Sequence, residues 1–248
     1  QLDPGGHGSG FDWVGAFQAG YVEGRERCVG LLDNPLPLVP NEFVNEDELA
    51  IAGDSAFGYR EGEIGAFLPR DLNDYWLQTL LAEGARLGEL TLVPVPDGAA
   101  ATCAEPAGDI AVGAVFYPAS NEIIFDESFG LELYTRFGDF AVGYILGAAW
   151  SEAVQLALES PLTGEPRALV SDCLTGAWVA DIIPVDGVLP PRGVYISPGD
   201  LDEAIRTVLV IGDAGLVDDV VGSGFEKIAS FRQGVLDGIP ACLARLDD

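Results

Sequence analysis

Few residues in this chain have the types and spacing for chemistry. Glu152 stands in YILGAAWSEAVQLAL, residues 144–158, a helical pattern apolar almost all round. Burial there would raise its carboxyl and fit it for acid–base work, and Asp172 could join it as a carboxylate dyad. The preferred reading is plainer: Glu152 hydrogen-bonds to a neighbouring helix or an arginine or reaches solvent, and Asp172 is a structural hydrogen-bonding residue. His7, near the start, is the only histidine, and no serine sits in a G-x-S-x-G elbow, which rules out a Ser-His-Asp triad. Gly212 and Gly215 lack the lysine and Ser/Thr of a phosphate loop. The acidic runs NEDE at 45–48, DLDE at 200–203 and Asp218-Asp219 invite calcium. None has EF-hand spacing, so solvated charge is expected.

Charge narrows the partners. Forty acidic against 12 basic side chains give a net charge of −28, with Lys227 as the only lysine. Such a field repels phosphate backbones and anionic lipid, which excludes electrostatic binding of nucleic acid or a membrane surface. Cations and basic protein surfaces are the natural partners, although solubility alone would account for the acidity. The chain has no methionine and begins with Gln1, as a processed product or a fragment would. With an even count of four cysteines, in no zinc-knuckle or C-x-x-C spacing, an extracytoplasmic location (secreted, periplasmic or cell envelope) after signal removal is expected. The longest apolar run, Ala141 to Leu158, contains Ser151, Glu152 and Gln155, which suits a buried globular helix better than a bilayer span. No direct membrane insertion by this chain is expected.

The elements that must position these residues follow from pattern. Residues 1–69 are rich in Gly, Pro and acids and read as a partly irregular N-terminal extension. From Asp71, read as an N-cap, DLNDYWLQTLLAEGARLG predicts an amphipathic helix. LTLVPVP predicts a strand or extended segment. Ile110 to Tyr117 and Ile123 to Phe125, joined by PASNE, predict a hairpin. A short helix, the long buried helix after Gly138-Asp139, and a helix over ALVSDCLTGAWVADII come next. Ser197 with Pro198 and Asp200 starts another near a capping box, and the last runs from Gly224 to Gly238. Trp150 and Trp178 are expected in the core. The layout is α+β, mainly helical with a small β-sheet or hairpin.

Five phrases, in order, resemble the bacterial family of neutral zinc metallopeptidases, which are zincin-like. They are FYPASNEIIFDESF (116–129), YTRFGDFAVGYILGAAWSEAVQ (134–155), SDCLTGAWVAD (171–181), ISPGDLDEAIRTVLVIGD (196–213) and FRQGVLDGIPAC (231–242). The resemblance implies a zincin-like domain over 70–248. It places the family's HExxH motif, two zinc-binding histidines around a catalytic glutamate, on Ala148-Ala149-Trp150-Ser151-Glu152. Ala148 and Glu152 replace the histidines and Ala149 the glutamate. The third ligand of the family's E-x-x-x-D-C signature falls on Ala168, and a further family histidine on Val221.

Every position that would touch metal or water is thus changed, and neither a catalytic residue nor a metal or other cofactor is expected. Glu152 and Asp172 are the residual cleft residues, too few for a zinc site. The resemblance also implies a Cys173–Cys242 disulfide, and at Cys103 a family cysteine whose usual partner is replaced by Tyr117, leaving Cys28 to tie the extension to the core. The functional expectation is a pseudoenzyme, a metallopeptidase-like protein without catalysis that binds a protein or serves as a structural subunit of an envelope complex. The alternatives are a hydrolase with a relocated carboxylate site, or a small-ligand or cation binder using the former cleft.

Overall fold

A computed structural model of the protein describes residues 8–39, 58–59, 64–96, 113–186, 188–213 and 223–246. The stretch expected to be irregular contains α1 (Gly10–Glu23) and α2 (Arg25–Gly30). Helix α1 starts on a capping box. The Ser9 hydroxyl accepts from the Asp12 amide at 3.3 Å and the Asp12 carboxylate accepts from the Ser9 amide at 2.9 Å. Tertiary packing overrides its glycine-rich composition. Phe11, fully buried, meets Phe231 edge-on at 6.1 Å, and the Arg232 guanidinium lies 4.2 Å from the Phe11 ring centroid.

Helix α3 (Ile64–Ala82) begins seven residues before Asp71, crosses the 69/70 boundary and holds Pro69 inside it. Asp71 is therefore not an N-cap. Its buried carboxylate accepts from Trp178 Nε1 at 2.7 Å and Arg192 Nε at 2.5 Å, which holds the loop after residue 182 against the helix.

Strands β1 (Thr91–Val95), β2 (Ala114–Tyr117) and β3 (Glu122–Asp126) form one sheet in the order β1-β3-β2. β2 and β3 pair antiparallel, with Ala114 opposite Phe125, as the hairpin reading expected. β1 joins β3 in parallel. The turn between β2 and β3 closes through Asn121 at φ 54°, a conformation asparagine tolerates. Asp126 caps α4 (Glu127–Phe137) by accepting from the Ser128 and Phe129 amides.

Helix α5 (Asp139–Ala157) is the centre of the molecule, with only Ala148, Leu156 and Ala157 not buried. Trp150 and Trp178 are fully buried, as expected. Helices α6 (Gly164–Asp181) and α8 (Gly224–Ala244) meet backbone to backbone. A Cβ on Gly176 would stand 2.1 Å from the Phe231 carbonyl oxygen, and one on Gly234 1.8 Å from that of Cys173. No larger residue fits this crossing. Beside it the expected Cys173–Cys242 disulfide is formed, with the Cα atoms 5.5 Å apart. Helix α8 runs past its expected end at Gly238, which breaks the helical path at φ 69° before Pro240. Helix α7 (Asp200–Asp213) starts after Ser197, whose amide and hydroxyl donate to Asp200. The architecture is α+β, mostly helical around a small mixed sheet. No helix among the described residues is long and apolar enough to cross a membrane.

Candidate functional site

The two carboxylates singled out by sequence lie on facing helices, and each has its own cation. Glu152, on α5, accepts from Arg167 Nε at 2.6 Å and from the Ser171 hydroxyl, and its carbonyl accepts from Arg167 Nη2 at 3.1 Å. Arg167 and Ser171 are four residues apart on α6, so one helical face supplies both partners. Gln155, one turn beyond Glu152, donates to the Arg167 carbonyl at 2.9 Å and the Ser171 hydroxyl at 2.7 Å. This network makes Glu152 an anchor between two helices, the plainer of its two readings.

Asp172 points to a different set of groups. Its Oδ2 accepts from Lys227 Nζ of α8 at 2.8 Å, and its Oδ1 accepts from the Tyr144 hydroxyl of α5. The Lys227 and Asp172 side chains are 8% and 1% exposed. Burial leaves the Asp172 carboxyl above its ordinary value although Lys227 and Tyr144 pull it down, and burial with the Asp172 charge pushes the Tyr144 phenol well up. The only lysine in the chain thus ties three helices together. The alternative of a carboxylate dyad gives way to two separate ion pairs, because α6 offers Arg167 and Ser171 to one carboxylate while α8 offers Lys227 to the other.

Sequence reasoning did not find Arg167, Ser171, Lys227 or Tyr144. Two signals were present: the four-residue spacing of Arg167 and Ser171, and the singularity of Lys227 in so acidic a chain.

Of the former metal positions, Ala149 is fully buried while Ala148 and Ala168 are half-buried. Val221 lies outside the described residues, as does Cys103, so the proposed tie of Cys28 to it does too; Cys28 itself is exposed. A groove of about 460 Å³ runs between α3 and β1, lined by Pro69, Arg70, Asn73, Asp74 and Glu89 among others. Asn73 builds its floor. Its amide donates to the Leu90 carbonyl at 2.8 Å and accepts from the Leu90 amide at 3.1 Å and Trp150 Nε1 at 3.0 Å. Neither this groove nor the smaller cavities beside β1 and before α7 includes Ala148, Glu152 or Ala168 in its lining.

One expectation about charge is overturned. In DLDE at 200–203, Asp200 and Glu203 are 2% and 6% exposed, not solvated. Asp202 accepts from the Phe11 amide at 2.8 Å and the Gly10 amide at 3.3 Å. Asp202 and Glu203 serve the N-termini of α1 and α5, where free amides attract them, and Asp200 closes the turn from Ser197 into α7. No family model, no curated protein and no solved structure matches the chain.

Proposed function

We propose that this protein is a catalytically silent, metallopeptidase-like protein that acts outside the cytoplasm by binding a protein partner, as a free binder or a subunit of an envelope complex. The observation that carries the reading is the state of Glu152. At a position where the resemblance expects a zinc-binding histidine, its carboxylate is held by Arg167 at 2.6 Å and by Ser171. An arginine at that point repels a divalent cation. Ala148, Ala149 and Ala168 offer no ligand or base around it. The Cys173–Cys242 disulfide supports an oxidising compartment.

Surface chemistry supports the binding role. Helix α1 presents Phe17 and Tyr21 at four-residue spacing, 63% and 73% exposed although both rings meet Phe225 at 6.0 and 5.3 Å. Clustered exposed aromatics mark protein-binding surface. A relocated carboxylate hydrolase has less support, because Glu152 and Asp172 are engaged by separate cations.

The test rebuilds the motif. Wild-type protein should contain no stoichiometric zinc and cleave no peptide in a broad peptidase assay. The combined variant Ala148→His, Ala149→Glu, Glu152→His, Arg167→Ala, Ala168→Glu, which also removes the guanidinium, should gain one zinc per chain. Chelator-sensitive cleavage by the wild type would overturn the reading. A folded combined variant that takes up no zinc would remove the positional assignment on which it rests.

A further inference from the structure

Strand β1 lies at the edge of its sheet. The order β1-β3-β2 leaves its outer side to the groove of about 460 Å³ against α3, and no other strand among the described residues covers it. In a parallel pair, residues whose amide and carbonyl both face the neighbouring strand alternate with residues whose groups face away. Thr91 faces inward, because its amide donates at 3.0 Å to the carbonyl of Asn121, just before β3. Leu90 faces outward, and Asn73 meets both of its backbone groups. The next outward residue is Leu92, which lines the groove and whose amide and carbonyl β3 does not use. Pro94 follows, and a proline at an edge leaves no outward donor unpaired. It keeps a long strand from adding to β1, while the Leu92 pair and the Pro94 carbonyl remain for a short one.

An adjoining cavity of about 220 Å³ shares Gly65 and Leu92 with the groove. Val142 and Leu146 of α5 and Phe125 of β3 give it apolar walls, and Glu127 supplies a carboxylate. The groove itself carries Asp74 and Glu89 against Arg70. Three acids to one base, in a chain of net charge −28, favour a basic segment and oppose a second copy of this chain. We propose that the outer edge of β1 binds an extended, basic segment of a partner protein, paired with the Leu92 backbone and seating one apolar side chain in the cavity beside Glu127. Backbone pairing gives such recognition its affinity, and the pocket and carboxylates give it selectivity. This surface gives the partner-binding reading, on which it rests, a site and a class of partner.

The probe is a capped, fluorescent pentapeptide, Lys-Val-Leu-Val-Lys, titrated into the full chain at physiological ionic strength. It should bind about tenfold more tightly than Glu-Val-Leu-Val-Glu. Of its two copies N-methylated on alternate residues, the one that blocks the amides facing β1 should bind about tenfold more weakly, the scale of one or two lost hydrogen bonds. N-methylation keeps the charge, so it separates strand pairing from general attraction to an acidic protein. In the free protein the Leu92 amide should exchange faster than those of Thr91 and Val93, and the peptide should slow it. Gly65→Trp fills the junction of groove and cavity. A Cβ there meets nothing within 4 Å, so the fold accepts it, and peptide affinity should fall about tenfold with Tm unchanged.

Equal binding of the lysine and glutamate peptides, an affinity indifferent to N-methylation or to Gly65→Trp, or a Leu92 amide that the peptide leaves unchanged would overturn the proposal. The N-methyl and exchange measurements need no variant. Dimerisation of the wild type that Gly65→Trp abolishes would also overturn it, by assigning the groove to a second copy. Failure of the underlying reading shows separately, as chelator-sensitive cleavage by the wild type.

Discussion

Replacing Lys227 by methionine keeps the length of the side chain and removes the ammonium that pairs with Asp172 at 2.8 Å, leaving the weaker and more distant charge of Arg245. The variant retains the Tyr144 hydroxyl on Asp172 but has no ammonium there, so the carboxylate must stay buried and unpaired or take up a proton. Protonation sets the ceiling on the cost. Holding a carboxyl of ordinary value near 3.8 protonated at pH 7 costs about 1.4 kcal/mol per pH unit, or about 4 kcal/mol in all. That agrees with the ~3–5 kcal/mol typical of breaking a buried pair from one side. In the variant the folded-state pKa of Asp172 lies above its unfolded value. The penalty is then absent below about pH 4 and grows as pH rises.

Urea denaturation followed by circular dichroism should accordingly show a loss of about 2 kcal/mol at pH 5 and about 4 kcal/mol at pH 7. The double variant Asp172→Asn, Lys227→Met should recover much of the pH 7 loss and show no such pH dependence. A loss equal at both pH values, or a double variant as unstable as the single one, would refute the view that charge pairing holds α5, α6 and α8 together.

Two further perturbations test the scaffold. Changing Cys173 and Cys242 together to alanine opens a loop of 69 residues, and the chain-entropy model puts the loss at about 4 kcal/mol, read as a lower urea midpoint. An unchanged midpoint would show that the bridge adds nothing to the α6–α8 packing. Asn73→Ala strips partners from the Leu90 backbone and from Trp150, each buried group costing about 1–3 kcal/mol. A drop in Tm with a changed near-ultraviolet tryptophan spectrum is expected, and a variant with wild-type Tm would deny the clamp its role.

Sequence by itself determined what depends on neighbours along the chain. The alternation around PASNE gives the β2–β3 hairpin, because side-chain period and turn chemistry are local. The all-round apolarity of residues 141–155 makes α5 central, since such a helix has no face to offer water. Ser9 and Asp12 carried a capping box that would have announced α1, yet the surrounding glycines hid it.

Only the tertiary structure decided the partners of the charges. Asp71 looked like a helix start and instead holds Trp178 and Arg192, more than 100 residues away. DLDE looked solvated, and two of its acids are buried because three helix N-termini converge on it. Glu152 and Asp172 were expected as structural hydrogen-bonding residues, but which cation each one meets, Arg167 for one and Lys227 for the other, was decided by α6 and α8. A buried charge is stabilised by whatever donor folding brings within about 3 Å, and the spacing of residues along a chain does not encode that distance.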